Sequence, residues 1–193
     1  MPDPITVRVI KDTATPELRA MIAKAGRALM AALGKRLEVT LRQYFKVRGQ
    51  RPQKRGWPKQ HFWDRRIRNA TALSSMTEHE VSVKIADPAF AAHYFGATIR
   101  PKEKQMLAIP LRAEAYGIQP SSGLIPGLFV IRRIGGRNAF LALREGGALR
   151  LYYLLTKRAV IPRDPEALPP DAQINAALQT EAEKFFLRRA ATP

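Results

Sequence analysis

The chain has 193 residues, of which 33 are Lys or Arg and 16 are Asp or Glu, so its net charge is +17. This length suits a single domain over 1–193, and the charge predicts attraction to polyanions such as nucleic acid or an acidic protein surface. The lack of cysteine excludes disulfides and thiolate chemistry, and no apolar run reaches the roughly 20 residues of a membrane span. We therefore expect no membrane contact and a protein that is soluble and intracellular when it is made.

The first part of the chain predicts a short strand and a long helix. Apolar residues alternate over 5–9, as in a strand with one buried face. From Pro16 the apolar positions instead recur at helical spacing as far as residue 44, for about eight turns. Gly26 and Gly34 lie inside this helix, where they permit either a bend or the close packing of another element.

A dense basic segment follows between residues 46 and 68, where Asp64 is the only acid. Glycines and prolines interrupt it as far as Pro58, so we predict a flexible basic arm over 46–58 and an anchoring helix over 59–73. As a solvated loop the arm contributes little to the core, and reversing its charges is predicted to leave the melting temperature nearly unchanged. The residues predicted to contact a polyanion or a partner protein are Arg48, Arg51, Lys54, Arg55, Trp57 and Lys59.

Two interpretations of this arm stay open at the sequence level. In the first, its charges bind phosphates or an acidic partner, since blocks of like charge are often interaction segments. In the second, the arm is a solvated loop that is basic for solubility. For Trp57 and Trp63, packing in a core or an interface is favoured over base stacking.

The rest of the chain predicts an α+β fold. Residues 80–85 alternate as a strand, and Asp87 caps a short helix that starts at Pro88 and stops at Gly96. We expect a strand over 106–111, a turn-rich loop over 117–127, a hairpin between 128–131 and 139–143, and a strand over 149–161. A proline-rich connector over 162–170 leads to a last helix capped by Asp171. The predicted architecture is a mixed or largely antiparallel sheet of five to six strands, packed by the long N-terminal helix and the C-terminal helix.

The sequence contains none of the common catalytic patterns. No lysine has an acid two positions before it, which disfavours the common metal-dependent nucleases. His61 and Asp64 are three residues apart, but no third group completes a site, so a local ion pair or hydrogen bond is favoured. His93 precedes two aromatic residues at a helix end, where packing is the simpler interpretation. We predict no catalytic residues, no cofactor and no metal.

The stretch from Pro88 to Ala113 carries a resemblance to a known family. Residues Tyr94 to Lys102 spell YFGATIRPK, and Leu107 to Leu111 spell LAIPL. This helix, turn and strand resemble the tailed-phage virion morphogenesis proteins of the tail-completion or head–tail neck class. Ala97 stands where a second glycine is expected, a departure that bears on a left-handed backbone there. The residues that carry the pattern in the turn and strand are Gly96, Thr98, Ile99, Arg100, Pro101, Lys102, Ile109 and Pro110.

This resemblance implies a structural role without chemistry. It implies a ring of identical copies that joins the capsid connector to the tail, in the virion and, during assembly, in the host cytoplasm. The implied partners are further copies of the chain, the head connector protein and a tail terminator or tail tube protein, with DNA passing through the lumen. The alternative from a different class is a DNA-binding accessory protein that uses the basic arm without sequence specificity.

Overall fold

The computed structural model describes residues 5–10, 16–52, 57, 61–132 and 139–191, with side chains from residue 25 onward. The chain forms two compact units. We call the first the helical unit; it comprises Met1–Arg51, Gln60–Phe95 and Arg163–Pro193. We call the second the strand unit; it comprises Pro52–Lys59 and Gly96–Pro162. Because compactness does not show that a unit folds by itself, the prediction of a single domain stays a prediction.

The helical unit is built around the long helix α1, Pro16–Gly49. Gly26 interrupts it with φ 49° and ψ −131°, a conformation that residues with a Cβ rarely adopt, so the helix kinks there. Beyond the kink one stripe of α1 is buried at four-residue spacing, as a period of 3.6 requires. Its members are Leu29, Leu33, Leu37, Leu41 and Phe45.

A three-stranded antiparallel sheet packs on α1. Its strands are β1 (Ile5–Ile10), β2 (Thr71–Met76) and β3 (Glu80–Ile85), in the order β1-β3-β2. A Cβ added at Gly34 would lie 2.4 Å from Val81 Cγ2, so the missing side chain lets the sheet approach the helix. The two glycines of α1 therefore do different things: Gly26 bends the helix, and Gly34 permits close packing.

Two boundary predictions around the basic segment were wrong. The helix α1 continues to Gly49, so Lys46 and Arg48 lie on a helix and not in an extended arm. The predicted helix over 59–73 is only a π-helical turn, Phe62–Ile67, with two further helical residues before β2 begins at Thr71. Thr71 pairs with Ile85 of β3, and this long-range strand pairing overrides the local helical pattern.

Two shorter helices complete the helical unit. Helix α2, Pro88–Phe95, is capped as predicted, because the Ala89 N–H donates to Asp87 Oδ1 over 2.8 Å and Gly96 follows with φ 77°. Helix α3, Asp171–Ala190, packs on α1 through Ile174 and Leu178. Its N-cap is Pro170, so the prediction that Asp171 is the cap was wrong. Asp171 is instead the first helical residue, where a carboxylate still meets the positive end of the dipole.

The strand unit contains two further antiparallel sheets. Its strands are β4 (Ala97–Ile99), β5 (Leu107–Pro110), β6 (Phe129–Arg132), β7 (Ala139–Glu145), β8 (Ala148–Thr156) and β9 (Ala159–Ile161). One sheet has the order β5-β8-β7-β6, and the other pairs β4 with β9. The α+β class, the antiparallel pairing and the β6–β7 hairpin are confirmed.

Two predictions about the strands were wrong. The single sheet of five to six strands is replaced by three separate sheets. The strand predicted over 149–161 is divided into β8 and β9, because Thr156 Oγ1 donates to the Arg158 carbonyl over 2.9 Å and closes a turn. A second core lies on one face of the four-stranded sheet, where Tyr153 donates to the Ile118 carbonyl over 3.0 Å.

Candidate interaction surfaces

Arg48 is the most enclosed of those predicted contact residues that the structure describes. Its side chain is 10% exposed, and its guanidinium lies 4.0 Å from the centre of the Trp63 ring. Its Nη2 donates to Asp164 in the connector, while Nε and Nη1 are buried without a hydrogen-bond partner among the described residues. Arg48 therefore links α1 to the connector, and the prediction that it lies in a solvated arm was wrong; its contact with an external partner stays a prediction.

Arg51 and Tyr44 fasten the same connector at a second point. Arg51 forms an exposed ion pair with Glu166, and the Tyr44 hydroxyl donates to the Glu166 carbonyl over 2.7 Å. The Asp164 N–H also donates to the His93 carbonyl over 2.8 Å. The connector is thus held to α1 and α2 by side-chain and backbone contacts, and it neutralises two of the arginines that the sequence assigned to the arm.

The remaining arm residues divide between described and undescribed positions. Lys54, Arg55 and Lys59 lie outside the described residues, as do Gly56 and Pro58. Trp57 is half-buried, and its ring meets the edge of Tyr116 with centroids 5.1 Å apart. This contact agrees with the packing interpretation of Trp57.

The histidines form no catalytic arrangement among the described residues. His61 Nδ1 lies 3.0 Å from Asp64 Oδ2, which is the local pair that the sequence favoured. His93 packs beside Phe62 and Trp63, with ring centroids 4.9 and 5.7 Å away. Nowhere in the described ranges do three or more His, Asp or Glu side chains meet in a way that would hold a metal ion.

Burial lowers the pKa of the His93 imidazole below its ordinary value of 6.5, because the charged form loses hydration. The Asp164 carboxylate opposes this shift, and Arg48 adds to it. In the unfolded chain His93 regains its ordinary pKa, so below about pH 6.5 the unfolded state binds more protons than the folded state. The contribution of His93 to the free energy of unfolding is therefore constant above about pH 6.5. It decreases as the pH falls from there toward the lowered pKa of His93 in the folded state.

We therefore expect the loss of stability between pH 7.5 and pH 5.5 to be smaller in a His93→Phe variant than in the unaltered chain. Urea unfolding followed by tryptophan fluorescence at both pH values measures it. The exposed His79, changed to Gln, is the matched control and should keep the full loss. An equal loss in His93→Phe and the unaltered chain would contradict this assignment.

The turn that carries the family resemblance lies at the surface of the strand unit. Gly96 has the left-handed backbone, whereas Ala97 begins β4 in an extended conformation, so no second glycine is needed there. Thr98, Ile99, Arg100 and Lys102 are exposed. The half-buried members are Pro101, Ile109 and Pro110. A groove of about 550 Å³ lies beside the turn, and Lys104 Nζ donates across it to Ser121 Oγ over 3.0 Å.

Three exposed cations that the sequence did not single out have no acidic partner in the described part of the chain. They are Arg65, Arg68 and Lys84. Arg68 precedes β2 closely, and Lys84 of β3 lies opposite Ala72 of β2. Arg65 and Arg68 belong to the basic segment between residues 46 and 68, so the sequence already indicated them. Lys84 lies outside that segment, and only the pairing of β3 with β2 brings it close to the start of β2.

An apolar surface on the four-stranded sheet was also missed. Phe129 lies opposite Ala142, and Ala142 lies opposite Leu151, so their side chains share one face. Leu149 is two residues from Leu151 and projects to the same side. Phe129, Leu149 and Leu151 are exposed and belong to neither core cluster. We call these three residues, with Val130 on the other face of β6, the apolar surface.

In comparisons with protein-family models, with curated proteins and with solved structures, no match to this chain was found. Within the described residues, no helix is both long and apolar enough to cross a membrane.

Proposed function

We propose that this chain is a structural protein of the head–tail junction of a tailed phage, in which copies form a ring between the capsid connector and the tail. The observation that carries the proposal is the apolar surface. Phe129, Leu149 and Leu151 are exposed on one face of the paired strands, and Val130 is exposed on the other face of β6; exposed apolar side chains grouped in this way are typical of a protein interface. An assembly protein needs such a surface, whereas a small enzyme needs a cleft with convergent polar groups.

The resemblance to tail-completion and neck proteins provides separate support. The residues that carry it lie in β4, in β5 and in the turn between them, where Arg100 and Lys102 are exposed, and Gly96 directly precedes β4. These positions contribute little to either core, so a packing requirement does not account for their pattern. The proposed partners are copies of this chain, the head connector and a tail terminator or tube protein. The proposed role is not enzymatic.

A second candidate is a DNA-binding accessory protein, favoured by Arg65, Arg68 and Lys84, which have no acidic partner among the described residues, together with the net charge of +17. Clustered cations release counterions from phosphates, and each lost phosphate contact lowers the slope of log affinity against log salt by about one. This candidate predicts binding without sequence preference.

Two triple variants separate the candidates. The first changes Lys54, Arg55 and Lys59 to Glu, and so leaves the structural Arg48 intact. The second changes Arg65, Arg68 and Lys84 to Glu, and each removes the same number of cations. Under the leading proposal, a phage that lacks this chain accumulates unjoined heads and tails, and the second variant restores joining. The first variant does not restore joining if the arm contacts an acidic neighbour.

Light scattering and DNA titration complete the test. A discrete multimer, alone or with the connector, supports the ring. Joining that proceeds without this chain would rule the head–tail role out. A monomer that binds DNA, and whose salt slope drops by about three in the second variant only, would establish the accessory role instead.

A further inference from the structure

The outer margin of the four-stranded sheet is formed by β6. The order β5-β8-β7-β6 places β6 at one end, and no strand in the described ranges pairs with its outer side. Each strand at a margin has backbone N–H and C=O groups that can pair with another chain. Phe129 and Val130 are adjacent, so they project to opposite faces, and both are exposed. The outer edge of β6 therefore has backbone groups that no described strand pairs with, and it has an exposed apolar side chain on each face.

The other strands that end a sheet in the strand unit, β5, β4 and β9, are blunted. At the far side of the same sheet, β5 ends in Pro110, which has no N–H to donate. In the two-stranded sheet, β4 and β9 have three residues each. Short strands and proline are common means of preventing edge pairing, and β6 contains no proline. The contrast singles out β6 as the margin suited to accept a strand.

The charges around β6 indicate the chemistry of the occupant. Arg132 ends the strand, and Arg144 lies on the neighbouring β7, and both are exposed without an acidic partner in the described residues. Glu145, the nearby acid, is already held by Arg150 over 3.0 Å and by the Tyr152 hydroxyl. A second copy paired edge to edge in antiparallel fashion would place Phe129 opposite Arg132 and would supply no acid to these arginines, whereas an acidic segment would.

We propose that the outer edge of β6 binds an extended acidic segment of a partner protein as a fifth strand. Main-chain hydrogen bonds supply the register, apolar side chains of the segment cover Phe129 on one face, and its carboxylates lie on the other face beside Val130 and Arg132. The inference rests on the proposed function in one respect, namely that the chain meets this partner during head–tail assembly. The chemistry of the edge is tested on the purified chain.

The probe is a peptide of alternating Glu and Val, about eight residues long, with a peptide of alternating Lys and Val as its counterpart. Hydrogen exchange on the full chain should show slower exchange over 129–132 with the acidic peptide, and unchanged exchange over 107–110. Val130→Asp should weaken binding by about tenfold or more, because it places a carboxylate among the carboxylates of the segment. Val130 is 54% exposed, so this variant should fold, which its melting temperature checks.

Val160→Asp is the matched control, since Val160 is a valine on a strand of the same unit and is 67% exposed. It should bind the acidic peptide as the unaltered chain does. Equal binding of both peptides, equal weakening by Val160→Asp, or no binding at about 1 mM peptide would overturn the inference. Slowed exchange over 129–132 that depends on protein concentration without peptide would overturn it in favour of self-association. None of these results touches the head–tail proposal, because no phage component is present. Failure of the joining assay with peptide binding intact would overturn that proposal alone.

Discussion

Replacing Arg48 with methionine is expected to lower the free energy of unfolding by about 3 kcal/mol. The change leaves the Asp164 carboxylate without its cation, although that side chain is only 24% exposed. It also removes the guanidinium that lies over Trp63. Asp164 binds the connector, which leads into α3, to α1. Losing this ion pair should therefore also destabilise the C-terminal end of α1. Equilibrium urea denaturation, followed by far-ultraviolet circular dichroism, measures the change.

Arg51→Met is the matched control for Arg48→Met. It removes the neighbouring ion pair to the same connector, but Arg51 is 56% exposed and Glu166 is also exposed. Exposed pairs contribute little, so the expected loss is much smaller than the loss in Arg48→Met. Equal losses in the two variants would show that the burial of Arg48 does not matter. The contrast also revises the prediction that reversing the arm charges leaves the melting temperature unchanged, because any variant that includes Arg48→Glu should be destabilised.

Replacing Phe45 with alanine is expected to cost about 3 to 5 kcal/mol. Phe45 is fully buried, stacks on Trp63 with centroids 6.1 Å apart, and meets the edge of Phe90 at 5.8 Å. These three rings come from α1, the π-helical turn and α2, so the cavity would open where three elements meet. Thermal and urea unfolding both measure the effect.

Phe95→Ala provides the comparison for Phe45→Ala. Phe95 is 64% exposed at the end of α2, although its ring also touches Tyr94. Its truncation should change the free energy of unfolding by less than about 0.5 kcal/mol. A loss at Phe45 as small as the loss at Phe95 would mean that the aromatic cluster is not the packed centre of the helical unit.

Local chemistry made several elements predictable from the sequence. The stripe of α1, the alternation of β3, and the Asp87 cap with its Gly96 stop all depend on residues that are close together in the chain. Backbone geometry couples such residues directly, through the helical period of 3.6, the strand period of two and the capping hydrogen bond. The α+β class follows from these elements together.

Long-range contacts decided the rest. Arg48 and Asp164 are 116 positions apart, and nothing near Arg48 in the sequence distinguishes it from the arginines that stay in solvent. Residues 71–76 have a strand conformation because β3 supplies the partner, although their own pattern also fits the end of a helix. The open margin of β6 exists only because four strands are ordered as β5-β8-β7-β6. The sequence by itself determined the elements with a strong local pattern and the excess of positive charge. Which charges are neutralised and which edge stays open were decided by tertiary structure, because both depend on pairing between segments whose local patterns do not encode their partners.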